Sequence, residues 1–279
     1  MQTILNNTAR IGNFTSSEIY RLMAPGKRDM DKVELAMRPK SGKGSKATTV
    51  EDIKILSDTA LEYILEKNME REFGRSLSCE AQARALSWGK VCEKYLSENK
   101  DYFPIGSGYS MNMDKTTTHP EIGYWAGSED ALTEDAVVDF KCPLTLKSFY
   151  LAVEPLYRET PLTGIEAMNV IREQHPDGEK FYWQLVSNAC IHNNKYAELI
   201  VFCPYKSELG AIRETASNYD AENLYPYQWI TYAHDAELPY LIDGGKFKSL
   251  NIIRFYVPTA DKKALTEKVK QAGAKLINT

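Results

Sequence analysis

The stretch Ser128–Pro143 constrains the fold of this chain more than any other part of the sequence. Its pattern predicts two short strands joined by a turn, and the second strand, Ala136–Lys141, carries two charged residues in an otherwise apolar run. Because strand side chains alternate between faces, Asp139 and Lys141 lie on one face and the apolar residues on the other. Asp130, on the other arm of the hairpin, can come back across it to stand near Asp139.

This group of charges has two interpretations. Two acids and a lysine that converge at a strand end suit binding of a divalent cation and hydrolysis of a phosphodiester. The alternative is the solvated face of an edge strand, and the hairpin taken alone favours it because charge pairs usually lie at the surface. Under the first interpretation Glu129, Glu134 and Asp135 are bystanders.

Composition is that of an ordinary globular protein, with 43% hydrophobic and 26% charged residues in 279, which allows one large domain or two small ones. The five cysteines are scattered without a CxxC pair, so neither a zinc site nor a disulfide framework is indicated. The net charge of −4 argues against a basic coat protein but not against a nuclease with a local basic lining. No apolar run reaches signal-peptide or membrane-span length, so we expect a cytoplasmic protein.

The segment Phe14–Met23 predicts the start of a helix, with Thr15 and Glu18 as a capping box. Ser17 would then lie in the first turn, where free backbone N–H groups attract anions and Arg10 is near in sequence. Plain helix capping is the alternative interpretation. The basic segment that follows is interpreted as a loop whose cations either touch a phosphate backbone or are merely solvated.

A helix predicted from about Glu80 to Glu98 places Glu93 within an apolar face that includes Leu86 and Leu96. A carboxylate that points into a core is costly unless it is paired or binds a metal. The alternative is that Glu93 sits at the edge of a wide face and reaches water.

The remaining segments predict an α/β (α+β) fold in which a central mixed β-sheet with a helical crossover is flanked by helices. The predicted helices and strands are Glu51–Glu72 (with Leu61, Ile64 and Leu65 on its apolar face), Tyr109–Met113, Gly123–Ala126, Lys147–Leu156, Glu179–His192, Ala197–Cys203, Leu250–Val257 and Ala260–Gln271 (closed by Gly273). Residues 155–178 and 218–229 are interpreted as loop and turn.

Several blocks of sequence resemble the phage lambda-type exonucleases, or YqaJ-like viral recombinases, a branch of the PD-(D/E)XK nuclease superfamily. The matching blocks are Arg10–Glu18, the basic residues 38–43, Ala85–Glu93 (Ala-Leu-Ser-Trp-Gly-Lys-Val-Cys-Glu), Ser128–Asp130, Asp139–Pro143 (Asp-Phe-Lys-Cys-Pro) and Gln184. Asp139 stands where the family more often has glutamate, and Glu129 replaces a proline. Asn188 stands where some relatives have tyrosine, and residues 155–178 look like an insertion.

The resemblance implies a PD-(D/E)XK restriction-endonuclease-like core within a single nuclease domain, 1–279, with the core at about 10–205 and an extension at 206–279. It implies a catalytic set of Asp130, Asp139, Lys141, Glu93 and Gln184, a set of Mg²⁺ ligands (Mn²⁺ as a substitute) of Asp130, Asp139, Glu93 and the Phe140 carbonyl, and a set of DNA-binding residues of Arg10, Thr15, Ser17, Lys43 and Ser128. Arg10, Ser17 and Ser128 match positions that contact a terminal 5′-phosphate in the family.

The function that the resemblance implies is Mg²⁺-dependent 5′→3′ degradation of linear double-stranded DNA, leaving 3′ single strands for recombination by strand annealing. The expected partners are duplex DNA with free ends, a single-strand annealing protein and further copies of the chain in a trimer, in the host cytoplasm if the protein is phage-encoded. The alternatives are another PD-(D/E)XK endonuclease or repair nuclease, and a non-catalytic DNA-binding protein on the same fold.

Overall fold

The structure, a computed structural model, describes residues 9–25, 56–77, 84–103, 108–112, 115–219 and 226–277. Its strands are β1 (Phe14–Thr15), β2 (Ser110–Met111), β3 (Thr117–Thr118), β4 (Trp125–Gly127), β5 (Ala131–Leu132), β6 (Ala136–Lys141), β7 (Tyr196–Phe202) and β8 (Leu250–Tyr256). Its α-helices are α1 (Tyr20–Met23), α2 (Asp58–Phe73), α3 (Arg84–Glu98), α4 (Leu146–Val153), α5 (Gly164–Gln174), α6 (Gly178–Ile191), α7 (Leu209–Ser217), α8 (Gln228–Tyr232) and α9 (Thr259–Gly273).

The main sheet has five strands in the order β2-β5-β6-β7-β8. Strands β6 and β7 are parallel, with Asp139 opposite Leu199, and the other neighbours are antiparallel. Helices α4, α5 and α6 make the crossover that a parallel pair requires. A smaller sheet joins β1, β4 and β3. The predicted mixed sheet with flanking helices is therefore confirmed.

Strand β6 is buried on both faces at the centre of this sheet, which contradicts the interpretation of the hairpin as a solvated edge. Val137 belongs to one apolar cluster, together with helices α4, α5, α6 and α9, and Val138 and Phe140 belong to a second, together with α3, α7 and α8. Asp139 faces the first side and is 0% exposed. A fully buried carboxylate is costly unless it has specific partners, and Lys141 at the end of β6 is one of the partners of Asp139.

The C-terminal part of the chain is joined to the same sheet and the same core. Strand β8 pairs with β7 over its whole length, and Leu265 and Val269 of α9 lie in the first cluster. Gly273 does not close α9 as predicted, because the cap is Ala274. Gly273 instead allows close contact with Tyr124, since a Cβ at this position would lie 2.2 Å from the tyrosine ring.

Two further local predictions were wrong. The predicted loop at 155–178 contains α5, whose Met168 and Ile171 are fully buried. In α2 the buried residues include Tyr63 and Ile64, whereas Leu61 and Leu65 are exposed. Residues 51–55 and 80–83 of the predicted helices lie outside the described residues.

The predicted capping box at the N-terminal segment does not form. Thr15 ends strand β1, and its side chain makes no capping hydrogen bond to the short 3₁₀ helix Ser16–Glu18. Glu18 pairs with Lys180 at 3.4 Å instead of reaching back to Thr15. Within the described ranges, no helix is long and apolar enough to span a bilayer.

Candidate active site

A cleft of about 370 Å³ opens beside the C-terminal end of β6. One side of it is the exposed face of α3, and the other is built from the loop before β1, the residue after β4 and the middle of α6. Its lining includes most of the predicted site residues: Arg10, Ser17, Glu93, Ser128, Asp130, Phe140, Lys141 and Gln184. Five of the matching blocks of sequence thus meet at one place.

Asp130 and Asp139 are brought together by the hairpin. The backbone N–H of Asp130 donates to the carbonyl of Val138 at 3.0 Å, and the Phe140 N–H donates to Asp130 Oδ2 at 2.6 Å. Asp139 lies buried directly behind the cleft wall, on the α6 side of β6. The predicted approach of the two carboxylates across the hairpin is therefore confirmed.

Three carboxyl groups, those of Asp130, Asp139 and Glu93, lie close enough together in and behind the cleft to affect one another's charge. Burial, reinforced by the nearby Glu93 and Asp139 carboxylates, raises the pKa of Asp130 well above its ordinary value. Lys141 forms an ion pair with Asp139 Oδ2, an oxygen that accepts no other hydrogen bond from the described residues. Burial lowers the pKa of Lys141, but Asp139, Asp130 and Glu93 together outweigh burial and leave that pKa raised. Lys141 is therefore an ammonium ion at neutral pH.

Gln184 connects the helix α6 to both charged groups on β6. Its Nε2 donates to Asp139 Oδ1 at 2.6 Å, and its Oε1 accepts from Lys141 Nζ at 3.4 Å. An amide is suited to this place because one end donates and the other accepts. Phe181, one turn earlier in sequence, lies beneath the Lys141 ammonium with its ring centroid at 5.3 Å.

Glu93 reaches the cleft from α3. Trp88, Val91 and Cys92 are fully buried on the inner face of this helix, while Leu86 is 55% exposed on the cleft side. Glu93 is half-buried between these faces and lines the cleft. The continuous apolar face predicted through Leu86 was wrong, and Glu93 lies at the boundary between core and cleft.

The acidic residues of the cleft suit a divalent cation that keeps part of its water shell better than one that is coordinated by protein atoms alone. Within the part of the chain that the structure describes, no three acidic, histidine or cysteine side chains gather tightly enough to hold a metal by themselves. Mg²⁺, however, commonly uses one or two carboxylates and keeps water and substrate phosphate as its other ligands. A cation beside Asp130 would also offset the burial and the nearby Glu93 and Asp139 charges that raise the pKa of Asp130.

The opposite wall carries one guanidinium among hydroxyl groups. Arg10 donates through Nη1 to Ser128 Oγ at 3.3 Å and through Nη2 to Ser17 Oγ at 3.2 Å. Ser17 is in turn 3.4 Å from Thr15 Oγ1, and Ser128 is 2.9 Å from Thr116 Oγ1. Donors of this kind, set around an arginine, suit an anion with several oxygens.

Close packing beneath this wall depends on Gly127 at the end of β4. A Cβ at Gly127 would lie 2.2 Å from Asn188 Oδ1 and 2.5 Å from Ser16 Oγ. Ser16 also lies 2.7 Å from Ser187 Oγ, which accepts from the Trp125 indole at 2.8 Å. The absence of a side chain at Gly127 lets β4 lie against α6 and so sets the position of Ser128.

Glu129, which was interpreted as a bystander, is buried and has a partner at each carboxylate oxygen. Its side chain is 3% exposed, and Oε1 accepts from Asn112 Nδ2 at 2.8 Å while Oε2 lies 2.8 Å from His192 Nε2. Asp135, also taken as a bystander, pairs with Arg254 at 2.6 Å.

Two predicted DNA-binding residues are not placed on the cleft. Thr15 is 6% exposed and lies behind the wall, where its backbone N–H donates to the Tyr63 hydroxyl at 2.9 Å. Lys43 lies outside the described residues. Thr116 was missed by sequence reasoning, since only the pairing of β3 with β4 brings it to Ser128.

The overall fold of the chain is similar to that of solved exonucleases. An alkaline exonuclease from Laribacter hongkongensis (LHK-Exo) matches with a TM-score of 0.50 at 14% sequence identity, over 96% of this chain and 89% of that one. A phage-related exonuclease from Haemophilus somnus 129PT matches with a TM-score of 0.53 at 12% identity, over 94% and 92%. The chain has an exonuclease fold. No family model and no curated protein sequence matches it, and at such identities the likeness establishes the fold alone. The fold that the resemblance implied is thus confirmed.

Proposed function

We propose that this chain is a metal-dependent deoxyribonuclease that degrades linear double-stranded DNA from its 5′ ends. The observation that carries the proposal is the pairing of two unlike walls in one cleft. Asp130 and Lys141, with Asp139 buried directly behind them, form one wall, and Arg10 with its hydroxyl partners forms the other. The solved structures with the same fold are exonucleases, which supports a nuclease that acts at DNA ends.

In the proposed reaction each residue of the acidic wall has a separate task. Asp130 and Asp139, with Glu93 and the Phe140 carbonyl beside them, would hold Mg²⁺ or Mn²⁺, which when bound makes water more acidic and stabilises charge on the phosphate. Lys141 holds the attacking water by donating a hydrogen bond and offsets negative charge as the phosphodiester is cleaved. Gln184 holds the Asp139 carboxylate and the Lys141 ammonium in fixed positions relative to each other through one hydrogen bond to each.

The second wall would hold the end of the DNA. Arg10 presents two N–H groups in a fixed fork, a geometry that matches two oxygens of a phosphate. Ser17 and Ser128 add hydroxyl donors on either side. A terminal 5′-phosphate held here places an adjoining phosphodiester toward the acidic wall, and this would give 5′→3′ polarity with a 3′ strand as product.

The proposal extends to assembly and partners. By the resemblance described above, we propose that three copies of the chain act on one duplex and that a single-strand annealing protein receives the 3′ strand, as in recombination of phage type. Light scattering of the purified chain, with and without duplex DNA, measures the number of copies in the assembly.

One set of substrates tests the proposed activity. Linear duplex DNA labelled at its 5′ or 3′ end is incubated with Mg²⁺, beside a covalently closed circle of the same sequence. We expect early release of the 5′ label, survival of the circle and loss of cleavage in EDTA. Equal cleavage of the circle would reject the exonuclease and favour an endonuclease, and cleavage in EDTA would reject the metal requirement.

A further inference from the structure

Gly89 lies in the interior of helix α3, on the side of the helix that faces the cleft. Leu86 and Glu93, three residues before it and four after it, line the cleft with it, as this spacing on a helix requires. Trp88 and Cys92 are fully buried on the inner face. A glycine inside a helix destabilises that helix relative to alanine, because glycine loses more conformational freedom on folding.

The packing of the protein does not explain this glycine. Among the residues that the structure describes, a Cβ at Gly89 would come within 4 Å of one atom beyond its chain neighbours and its own helix backbone. That atom is Glu93 Oε1 at 3.9 Å, an ordinary van der Waals contact. Gly127 is the contrasting case, because a Cβ there would lie 2.2 Å from Asn188 Oδ1. The fold therefore has room for an alanine at position 89.

The space in front of Gly89 belongs to the cleft. Lys90 lines the cleft beside it, and Glu93 and Asp130 line the cleft further on. Gly89 is about one turn of α3 from Glu93, since four helical residues rise about 6 Å. Glycine is typical of places where a ligand must come close to a protein backbone. An ammonium group next to such a place suits a ligand with a line of phosphates.

We propose that the sugar–phosphate backbone of the strand being degraded lies against Gly89, closer to the backbone of α3 than a side chain would allow. Lys90 pairs with a phosphate of the same strand. This inference rests on the proposed function and deepens it, because it assigns the protein surface next to the phosphodiester that is cleaved. When that phosphodiester lies beside Glu93 and Asp130, the adjoining nucleotide of its strand passes Gly89.

Gly89→Ala should make the protein more stable and a poorer nuclease. The thermal midpoint of unfolding should rise by about 2 °C, because alanine is the better helix former. Affinity for a 5′-phosphorylated linear duplex in EDTA, measured by fluorescence anisotropy, should fall at least about tenfold, and so should kcat/KM with Mg²⁺, because the methyl group displaces the strand. The matched control is Gly210→Ala, at an exposed position of α7 with nothing within 4 Å, which should change neither affinity nor kcat/KM.

Lys90→Gln tests the charge beside Gly89. The slope of log affinity against log salt concentration should become shallower by about 1, the change expected when one phosphate contact is lost. Lys263→Gln, at an exposed position of α9 that does not line the cleft, should leave the slope unchanged. An unchanged slope in Lys90→Gln would reject the pairing of Lys90 with a phosphate.

The role of Gly89 has three contrary outcomes. A less stable Gly89→Ala would show that the fold itself needs the glycine. A more stable variant with wild-type affinity and kcat/KM would show that no strand comes close to α3 here. A fall in kcat/KM at wild-type affinity would place the effect at Glu93 rather than at the strand. Each of these results overturns the inference.

Failure of the proposed function is recognised separately, in the wild type. If the wild type cleaves linear duplex DNA and Gly89→Ala binds and cleaves it equally well, only the role of Gly89 is rejected. If the wild type neither binds nor cleaves linear duplex DNA, the proposed function itself is rejected.

Discussion

Gln184 and Asp139 are joined by a 2.6 Å hydrogen bond that links the helix α6 to the central strand β6. The bond occupies Oδ1 of the carboxylate, while Lys141 pairs with Oδ2. Asp139 thus has a partner at each carboxylate oxygen although it is fully buried. These two partners offset the free-energy cost of burying its charge. The same amide accepts from Lys141, so one side chain sets the orientation of both groups.

Replacement of Gln184 by methionine keeps the length of the side chain and removes both hydrogen bonds. We expect kcat for linear duplex DNA to fall about 100-fold, because misplacement of a reacting group by about 1 Å costs this much. KM should change little, since in the proposed function the opposite wall holds the DNA. Steady-state kinetics on a 5′-phosphorylated duplex measures both constants. A rise in KM at full kcat would place Gln184 in DNA binding rather than in positioning.

Asp130→Asn should separate stability from activity. Burial and the nearby Glu93 and Asp139 disfavour the charged form of Asp130 in the folded protein. An asparagine at this position can still accept the hydrogen bond from the Phe140 N–H. Without divalent ions at pH 7, we expect the free energy of unfolding to rise by about 1 kcal/mol, because a charge is removed from a crowded site. Hydrolysis should fall at least about 1000-fold through loss of a charged ligand.

Urea denaturation and end-labelled cleavage measure the two effects of Asp130→Asn. Asp101→Asn, at an exposed position, is the matched control and should change stability by less than about 0.5 kcal/mol. A loss of stability in Asp130→Asn would show that the carboxylate is held by attractions stronger than the repulsion from its neighbours.

The predictions that succeeded depend on patterns between residues that are close together in the sequence. The alternation along Ala136–Lys141 correctly placed Asp139 and Lys141 on one face, and the hairpin brought Asp130 to them. The helix predicted at Glu179–His192 differs from α6 by one residue at each end. In these segments the periodicity of side chains and the tight turn determine the geometry. A window of about ten residues of sequence is therefore enough to predict which side chains share a face.

The predictions that failed depend on contacts between distant segments. Ile64 is buried as predicted, but Leu61 and Leu65 are exposed, and the other large buried side chain of α2 is Tyr63, whose hydroxyl accepts from the Thr15 N–H. The burial of Glu129 was not predicted, because its partner His192 is 63 residues away in sequence. The register that sets Thr116 against Ser128 likewise cannot be read from either segment alone.

Gly127→Ala should destabilise the fold at the base of the hydroxyl wall. The new Cβ would lie within 2.8 Å of three side-chain atoms, and the residues that carry them (Ser16, Asn188 and Ile191) are buried, with little room to move. We expect the free energy of unfolding to fall by about 2 kcal/mol, the usual effect of overpacking. Gly123→Ala, with nothing within 4 Å, is the control, and chemical denaturation compares the two. Equal stability of both variants would contradict the close approach of β4 to α6.

His175 should make stability depend on pH through a hydrogen bond at the start of α6. Its Nδ1 accepts from the Asp177 N–H at 3.0 Å, and its Nε2 lies 2.8 Å from Ser148 Oγ. Protonation of Nδ1 would break the first bond. Burial lowers the pKa of His175, although Asp177 acts in the opposite direction. The unfolded chain therefore binds the proton first, and stability that is complete above about pH 6.5 is lost as the pH falls through the folded pKa.

His175→Asn removes this titration. Between pH 7.5 and 5.5 the wild type should lose more free energy of unfolding than the variant, by no more than about 1.4 kcal/mol, the equivalent of one pKa unit. Urea denaturation at the two pH values gives the difference, and His234→Asn, at an exposed position, controls for the loss of a histidine elsewhere. A steeper loss in His175→Asn than in the wild type would mean that the charged ring is stabilised in the folded protein, with Asp177 outweighing the effect of burial.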